Sequence, residues 1–529
     1  MSRSALKLGV ACAALLVASG TVADAAGPRG GTMIYARRAD SLFLDPVLND
    51  ANVDIWILTN LYDTLIAPAN DGKSLLPGLA TEWHASADGK TFTLKLRPNT
   101  KFSDGSPITA DDVVWSLTRA SDQKEGIWSF LLASVDKVTA QGDDTIVLSL
   151  KNPDPSLPAA LATFNAAVMP KKLVLAQPGA TLDDKAKAFA EHPIGSGPFV
   201  LSDWKRGTNM TIKRNPYYWA DAEDGKKLPY LDEVDFPVIP EDSTRILKLK
   251  AGEIDGTEFI PYSRVAELQK DESLNMVLFP STEVSYLTVN DRTKLADGSD
   301  NPLANVKVRQ ALNYGLNKAA LIQIVTHGIG TPMHSFMSDT TPLFADQGAA
   351  YPYDKAKAKT LLAEAGFPNG ISVSSLALAG SGDEITTISA IQQMWAQIGV
   401  KLTIEQVDNG TLDARYHKPD FQMRTGLWTN DINDPNEITS YFAYYPNIEN
   451  QHSGWDSKEA DSLYDKSQSE TDATKRADEY AQIQKIYMAE APIFFLYQSP
   501  YPVALSKKVD GFWQTPLGNN IFVRATVAK

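Results

Sequence analysis

The sequence predicts an α/β protein with more than one hydrophobic core, and three observations predict it. Ile371 to Leu378 reads as a strand, Asp383 to Ile398 as a helix, and Val400, Leu402 and Ile404 alternate as a second strand. Short links between them make a strand–helix–strand unit, which sets its two strands parallel. Thr91 to Arg97 alternates, with Phe92, Leu94 and Leu96 on one face, as a half-buried strand does. The chain has 529 residues, too many for one core, so two or three domains are expected.

Taken in order, residues 1–25 read as an export signal rather than part of the fold. Arg3 and Lys7 form a basic start, Leu8 to Ala18 an apolar core, and Ala23-Asp24-Ala25 a small-x-small cleavage site. The apolar stretch is shorter than the roughly 20 residues that span a bilayer. The single cysteine, Cys12, lies inside that core, which does not match a lipoprotein signal. No arginine pair precedes the core, so the general secretory route is expected.

Thr32 to Ala36 is strand-like and runs into Arg37-Arg38-Ala39-Asp40. After the alternating strand, Pro98-Asn99 and Asp104-Gly105 mark turns. Thr109 then stands at an N-cap position, with Asp112 three residues on and Val113, Val114 and Leu117 behind it. Gly195-Ser196-Gly197 reads as a tight turn into a strand, since the lysine of a Walker loop and the third glycine of a dinucleotide fingerprint are missing. Gly399 stops the helix of the strand–helix–strand unit. Ala473 to Ala489 forms a late helix with Ala477, Tyr480, Ile483 and Tyr487 on one side, and Pro492 to Tyr497 an apolar strand.

Composition narrows function. The formal net charge is −14, and loss of Arg3, Lys7 and Asp24 with the signal makes it one unit more negative. That balance argues against nucleic acid and anionic membrane surfaces as partners. No two of the six histidines stand four apart and none neighbours a cysteine, so no protein-bound metal or cofactor is expected. Ser121-x-x-Lys124 and Ser299-Asp300-Asn301 match two motifs of penicillin-recognising serine enzymes, but the third, Lys-Thr-Gly, is missing. An exported serine hydrolase is therefore the alternative from another class.

Several stretches then point to one family. Residues 75–119 read LLPGLATEWHASADGKTFTLKLRPNTKFSDGSPITADDVVWSLTR. Pro193 to Phe199 reads PIGSGPF, and Arg214 to Trp219 reads RNPYYW. Tyr230 to Gly256, Asn301 to Lys318 (NPLANVKVRQALNYGLNK) and Tyr353 to Gly366 (YDKAKAKTLLAEAG) follow in order. Together they resemble the ABC-transporter solute-binding proteins of the peptide/nickel (cluster C) family, over nearly the whole chain after residue 30. The resemblance implies a two-lobed periplasmic binding protein fold (type II, cluster C) with an extra subdomain in lobe one. It implies lobe one at 26–287 plus 501–529, the subdomain at about 70–193, and lobe two at 288–500. The crossings fall near Ser285 to Asn290 and Gln498 to Val503. A monomeric periplasmic receptor is implied, which does no chemistry and hands its ligand to a membrane permease.

The resemblance also implies site residues. Leu427 to Glu437 reads LWTNDINDPNE. Peptide binders of the family carry a related Trp-x-x-Asp segment whose aspartate receives the ligand ammonium, and Trp428 and Asp431 match it. Asn430 replaces a commonly small residue there. A buried ammonium requires a nearby carboxylate; Asp431 and Asp434 also suit plain turn roles. Arg37 or Arg38, in the loop after the first strand, suits a carboxylate or phosphate, or else forms a solvated pair. Tyr286, at the first crossing, is placed to stack on ligand or to pack in the core. Trp56 is expected in the core, and Tyr441, Phe442, Tyr444 and Tyr445 partly floor the pocket. Dipeptide binders of the family carry a lobe-two arginine for the ligand carboxylate, yet Leu376 to Ala390 has no basic residue. The expected ligand is a peptide or amino-acid derivative such as an opine, with an oligosaccharide or nickel chelate as alternatives.

Overall fold

The computed structural model describes residues 29–528, apart from 50, 123, 125, 224, 449 and 450. The export segment lies outside the described residues. Two large sheets organise the chain. The first has seven strands in the order Leu274–Phe279, Tyr501–Ser506, Gly256–Thr257, Thr32–Ala36, Glu233–Pro237, Asn209–Arg214, Phe199–Lys205. The second has six, in the order Thr331–Pro332, Ile493–Gln498, Val284–Val289, Met423–Trp428, Ile371–Leu378, Val400–Val407. A separate four-stranded antiparallel sheet, Ala80–Ala85, Thr91–Leu96, Thr145–Leu150, Val135–Ala140, forms the subdomain on the first lobe.

Local chemistry accounts for these elements. Phe92, Leu94 and Leu96 are buried, and the residues between them are half-exposed. Helix Ala110–Ser121 begins with a reciprocal cap: the Asp112 N–H donates to Thr109 Oγ1 at 3.2 Å, and the Thr109 N–H to Asp112 Oδ2 at 2.9 Å. Such a cap satisfies two otherwise unpaired backbone donors. Ile371–Leu378 and Val400–Val407 pair in parallel along their whole length, bridged by helix Gly382–Ala396. Ile388, Ile391 and Trp395 on that helix are fully buried in the core of the second lobe.

The glycines at 195 and 197 are required by close approach. A Cβ on Gly195 would stand 2.0 Å from the Leu61 carbonyl oxygen, and one on Gly197 would stand 2.6 Å from the Leu61 carbonyl carbon. The Gly197 N–H donates to that carbonyl at 2.9 Å, closing the end of helix Asn52–Leu61. Ser196 Oγ accepts from the Asp63 N–H at 3.1 Å, so the turn also sets Asp63.

The chain passes from the first sheet to the second between Phe279 and Val284 and returns between Gln498 and Tyr501. The first passage lies upstream of Ser285 to Asn290, and all of Val284–Val289 belongs to the second sheet. The lobes are closed on one another. Ile432, on a second-lobe loop, is buried within the subdomain core. Asn436 Nδ2 donates to Ser156 Oγ at 3.2 Å, and the rings of Phe130 and Tyr441 meet at 6.4 Å, both across the lobe boundary.

Candidate ligand-binding cleft

Strand Met423–Trp428 ends at the lobe boundary, and the loop after it is held from several sides. Trp428 packs on Tyr441, ring centroids 4.6 Å apart, and its indole N–H donates to Asn430 Oδ1 at 3.1 Å. Asn430 is buried; its N–H donates to Thr282 Oγ1 at 3.0 Å and its Nδ2 to Thr341 Oγ1 at 3.3 Å. Glu437 Oε2 accepts from the N–H groups of Asp431 at 2.8 Å and Ile432 at 3.3 Å. Asp434 caps helix Pro435–Ala443 and forms a bidentate, buried pair with Arg476, both bonds 2.7 Å.

Asp431 is thereby presented to a cavity of about 330 Å³. Pockets of this size hold small organic ligands. The rest of the wall belongs to the first lobe: helix Asn52–Leu61, Asp63, Phe164, the pair Tyr218 and Trp219, and the C-terminal stretch from Leu517 to Arg524. Most of the wall is apolar, and its charged members are Asp63, Asp431 and Arg524.

Burial raises both cavity carboxyls. Asp63 Oδ2 accepts from Trp219 Nε1 at 2.6 Å, and Arg97 stacks over Trp219 at 4.0 Å. Burial pushes Asp63 up to about 7, against that hydrogen bond and the Arg97 charge. Burial likewise pushes Asp431 up to about 6, with a hydrogen bond from the Glu437 carboxyl pulling the other way. Glu437 is raised well above the carboxylate range by burial and by the Asp431 charge. Burial thus raises both Asp431 and Glu437, and repulsion between the two charges opposes their ionising together. Asp431 is half-buried and forms no ion pair with a Lys or Arg among the described residues, so a cation in the cavity favours its ionised form.

The other sequence-predicted residues fall elsewhere. Arg37 is buried, its guanidinium donating to Ser41 Oγ at 3.1 Å and to the Val53 carbonyl, and it does not line the cavity. Arg38 is exposed and lies 4.1 Å over the ring of Phe259. Tyr286 is packed against Phe442 and Phe495 in the core, its hydroxyl donating to Gln451 at 3.3 Å. Trp56 is buried. Where the family's lobe-two arginine is expected, Glu384 accepts from the Leu378 N–H and Thr425 Oγ1. Ser121 Oγ donates to the Thr118 carbonyl, and Ser299 Oγ to Asp297, so each serine sits in local turn or helix chemistry. Among the described residues no group of three or more His, Cys, Asp or Glu is gathered to hold a metal.

Asp63 and Arg524 are cavity residues that the sequence reading did not find. Asp63 carried the signal of lying just before an apolar run; Arg524 carried none.

Comparison with known proteins agrees with this architecture. The family described as bacterial extracellular solute-binding proteins, family 5 Middle, matches residues 74–450. A probable D,D-dipeptide-binding periplasmic protein of Escherichia coli (strain K12) is 27% identical, over 98% of this chain and 98% of its own. Heme-binding protein A of Haemophilus influenzae is 30% identical, over 88% of this chain and 87% of its own. The solved structure of an ABC-transporter-associated periplasmic binding protein from Helicobacter pylori, in complex with the peptide STSA, superposes with a TM-score of 0.79 at 26% identity, covering 95% of this chain and 99% of that one. With two lobes, an added subdomain and a cavity walled by both, this chain belongs to the bacterial extracellular solute-binding proteins of family 5, the periplasmic receptors of ABC importers.

Proposed function

We propose that this receptor captures an amine-bearing peptide or amino-acid derivative between its lobes and delivers it, unchanged, to an ABC import permease. The observation that carries this reading is Asp431: a half-buried carboxyl that is the second lobe's contribution to a cavity otherwise built by the first. An ammonium there offsets the buried charge, and a neutral sugar leaves it uncompensated. Two of the similar proteins are a probable D,D-dipeptide-binding protein and a periplasmic binding protein solved with the peptide STSA, which supports the same class. Trp428 and Asn430 hold the Asp431 loop, while Arg37 and Tyr286 act from inside the protein. The lobes are divided at residues 280–283 and 499–500, and the protein is released as a monomer to the periplasm by cleavage after Ala25.

The test is a screen of a peptide and opine library by melting temperature, followed by titration calorimetry of Asp431→Ala. A ligand held only by the native state adds about 2.7 kcal/mol at 100-fold excess over Kd. Loss of one partner of a buried charge pair costs about 2–5 kcal/mol, so Asp431→Ala should weaken an amine-bearing hit at least ~30-fold. Undiminished binding would move the ammonium site elsewhere. Recovery of hydrolysed product from a hit would replace the receptor with an enzyme. Intact mass of the exported protein tests cleavage: a species retaining residues 1–25 would contradict it.

A further inference from the structure

Arg524 is the cation that lines the cavity of Asp431, and it stands at the far end of the sequence from any expected site residue. Its guanidinium has no hydrogen-bond or ion-pair partner among the described residues, and the residue is exposed. Its charge reaches Tyr218, a half-buried residue of the same wall. The other arginine near this region, Arg97, is committed: it lies over Trp219, and its Nε donates to the Gly78 carbonyl at 3.1 Å.

The charge pattern of the cavity is thus specific. Asp63 is answered by Trp219 and Arg97, which leaves Asp431 without a cationic partner and Arg524 without an anionic one on a single, mostly apolar-walled chamber. The two come from different lobes. A ligand that satisfies both carries a cationic group at one place and an anionic group at another, with an apolar body between. The stretch of the second lobe that is free of basic residues, Leu376 to Ala390, offers no competing partner for the anion.

We infer that Arg524 receives the anionic group of the ligand, so that the receptor selects zwitterionic compounds such as free-acid peptides over their neutral-ended analogues. This rests on the reading of Asp431 as the ammonium partner. Arg524 supplies from the C-terminal stretch of lobe one the cation that lobe two lacks. Its guanidinium suits a carboxylate because two parallel N–H groups match two oxygens.

The experiment uses the full mature protein and two probe pools: di- to pentapeptides as free acids, and the same peptides with C-terminal amides. Thermal stabilisation is titrated for the parent, Arg524→Ala and Arg524→Lys. Arg524 makes no internal bond to lose, so both variants should fold as the parent does. The parent should prefer the free-acid pool. A guanidinium at a part-open rim sits between a desolvated pair and a surface pair, so Arg524→Ala should raise the half-maximal free-acid concentration about tenfold and leave the amide pool unchanged. Arg524→Lys should restore part of the difference. Equal response of the parent to both pools, or a preference that survives in Arg524→Ala, overturns the proposal and leaves the Asp431 reading standing. Absence of any response of the parent to either pool overturns the peptide reading and this inference with it.

Discussion

Asp431 and Glu437 form an acid pair in which both members are raised by burial, and the proposed site places the ligand amine against it. With Asp431 raised to about 6 by burial, lowering the pH through that value protonates it and removes the counter-charge for an ammonium. Affinity for an amine-bearing ligand should therefore be steady near neutrality and fall below pH 6, approaching tenfold per pH unit. Calorimetry between pH 5 and 7.5 checks this; a flat profile would mean that Asp431 stays ionised or makes no contact. The neighbouring pair, Asp434 and Arg476, should behave differently. It is structural, and removing one partner of a buried ion pair costs about 3–5 kcal/mol. Arg476→Ala should thus lower the melting temperature whether or not ligand is present. Of the Trp-x-x-Asp segment, readable because its members lie within four residues of one another, Asp431 lines the cavity and Trp428 does not. The Arg524 side of the cavity was not readable, since its partners stand hundreds of positions away and only tertiary packing unites them. Arg37 and Tyr286 show the reverse: position near a strand end does not reveal which way a side chain turns, and here both turn inward.

At the scale of elements, periodic segments were readable and short or two-sided ones were not. Thr91–Leu96, with alternate residues buried, and the parallel pair Ile371–Leu378 and Val400–Val407 carry their period in the sequence. Gly256–Thr257 is a two-residue strand and has no period to show. Val284–Val289 is buried on both faces along its whole length, so nothing in its sequence says to which sheet it belongs, and the first crossing was placed too late. Thr109→Ala removes one half of a reciprocal cap and should cost about 1 kcal/mol, seen as a shift in the denaturation midpoint. The loop at Ile432 makes a stronger prediction. Its side chain is buried in the subdomain core while its backbone belongs to the second lobe. Truncation of a buried isoleucine to alanine costs about 2–5 kcal/mol, and here that loss falls on the closed arrangement. Ile432→Ala should weaken ligand binding by tenfold or more without altering a cavity-lining side chain. Unchanged affinity would show that closure does not depend on this contact.

Across the whole molecule, the cavity gains its second-lobe carboxyl only while the lobes meet, because Asp431 reaches it from one lobe and the remaining wall belongs to the other. X-ray scattering should accordingly show the free protein more extended than the liganded one, with Ile432→Ala more extended still. The two connecting segments determine how that motion proceeds. They run side by side and are bound to each other: Ser281 Oγ donates to the Ser499 carbonyl, Ser499 Oγ to Glu283 Oε1 at 3.1 Å, and Gln498 Nε2 to the Ser281 carbonyl at 3.0 Å. Mechanically, two short straps clamped together act as one axle. Such a clamp resists sliding and separation of the straps and leaves hinge rotation as the softest motion. A body so mounted has a single coordinate, the angle of its jaw. That angle then links the occupancy of the cavity to the outer shape of the receptor, and a partner that contacts both lobes is expected to distinguish the filled state from the empty one.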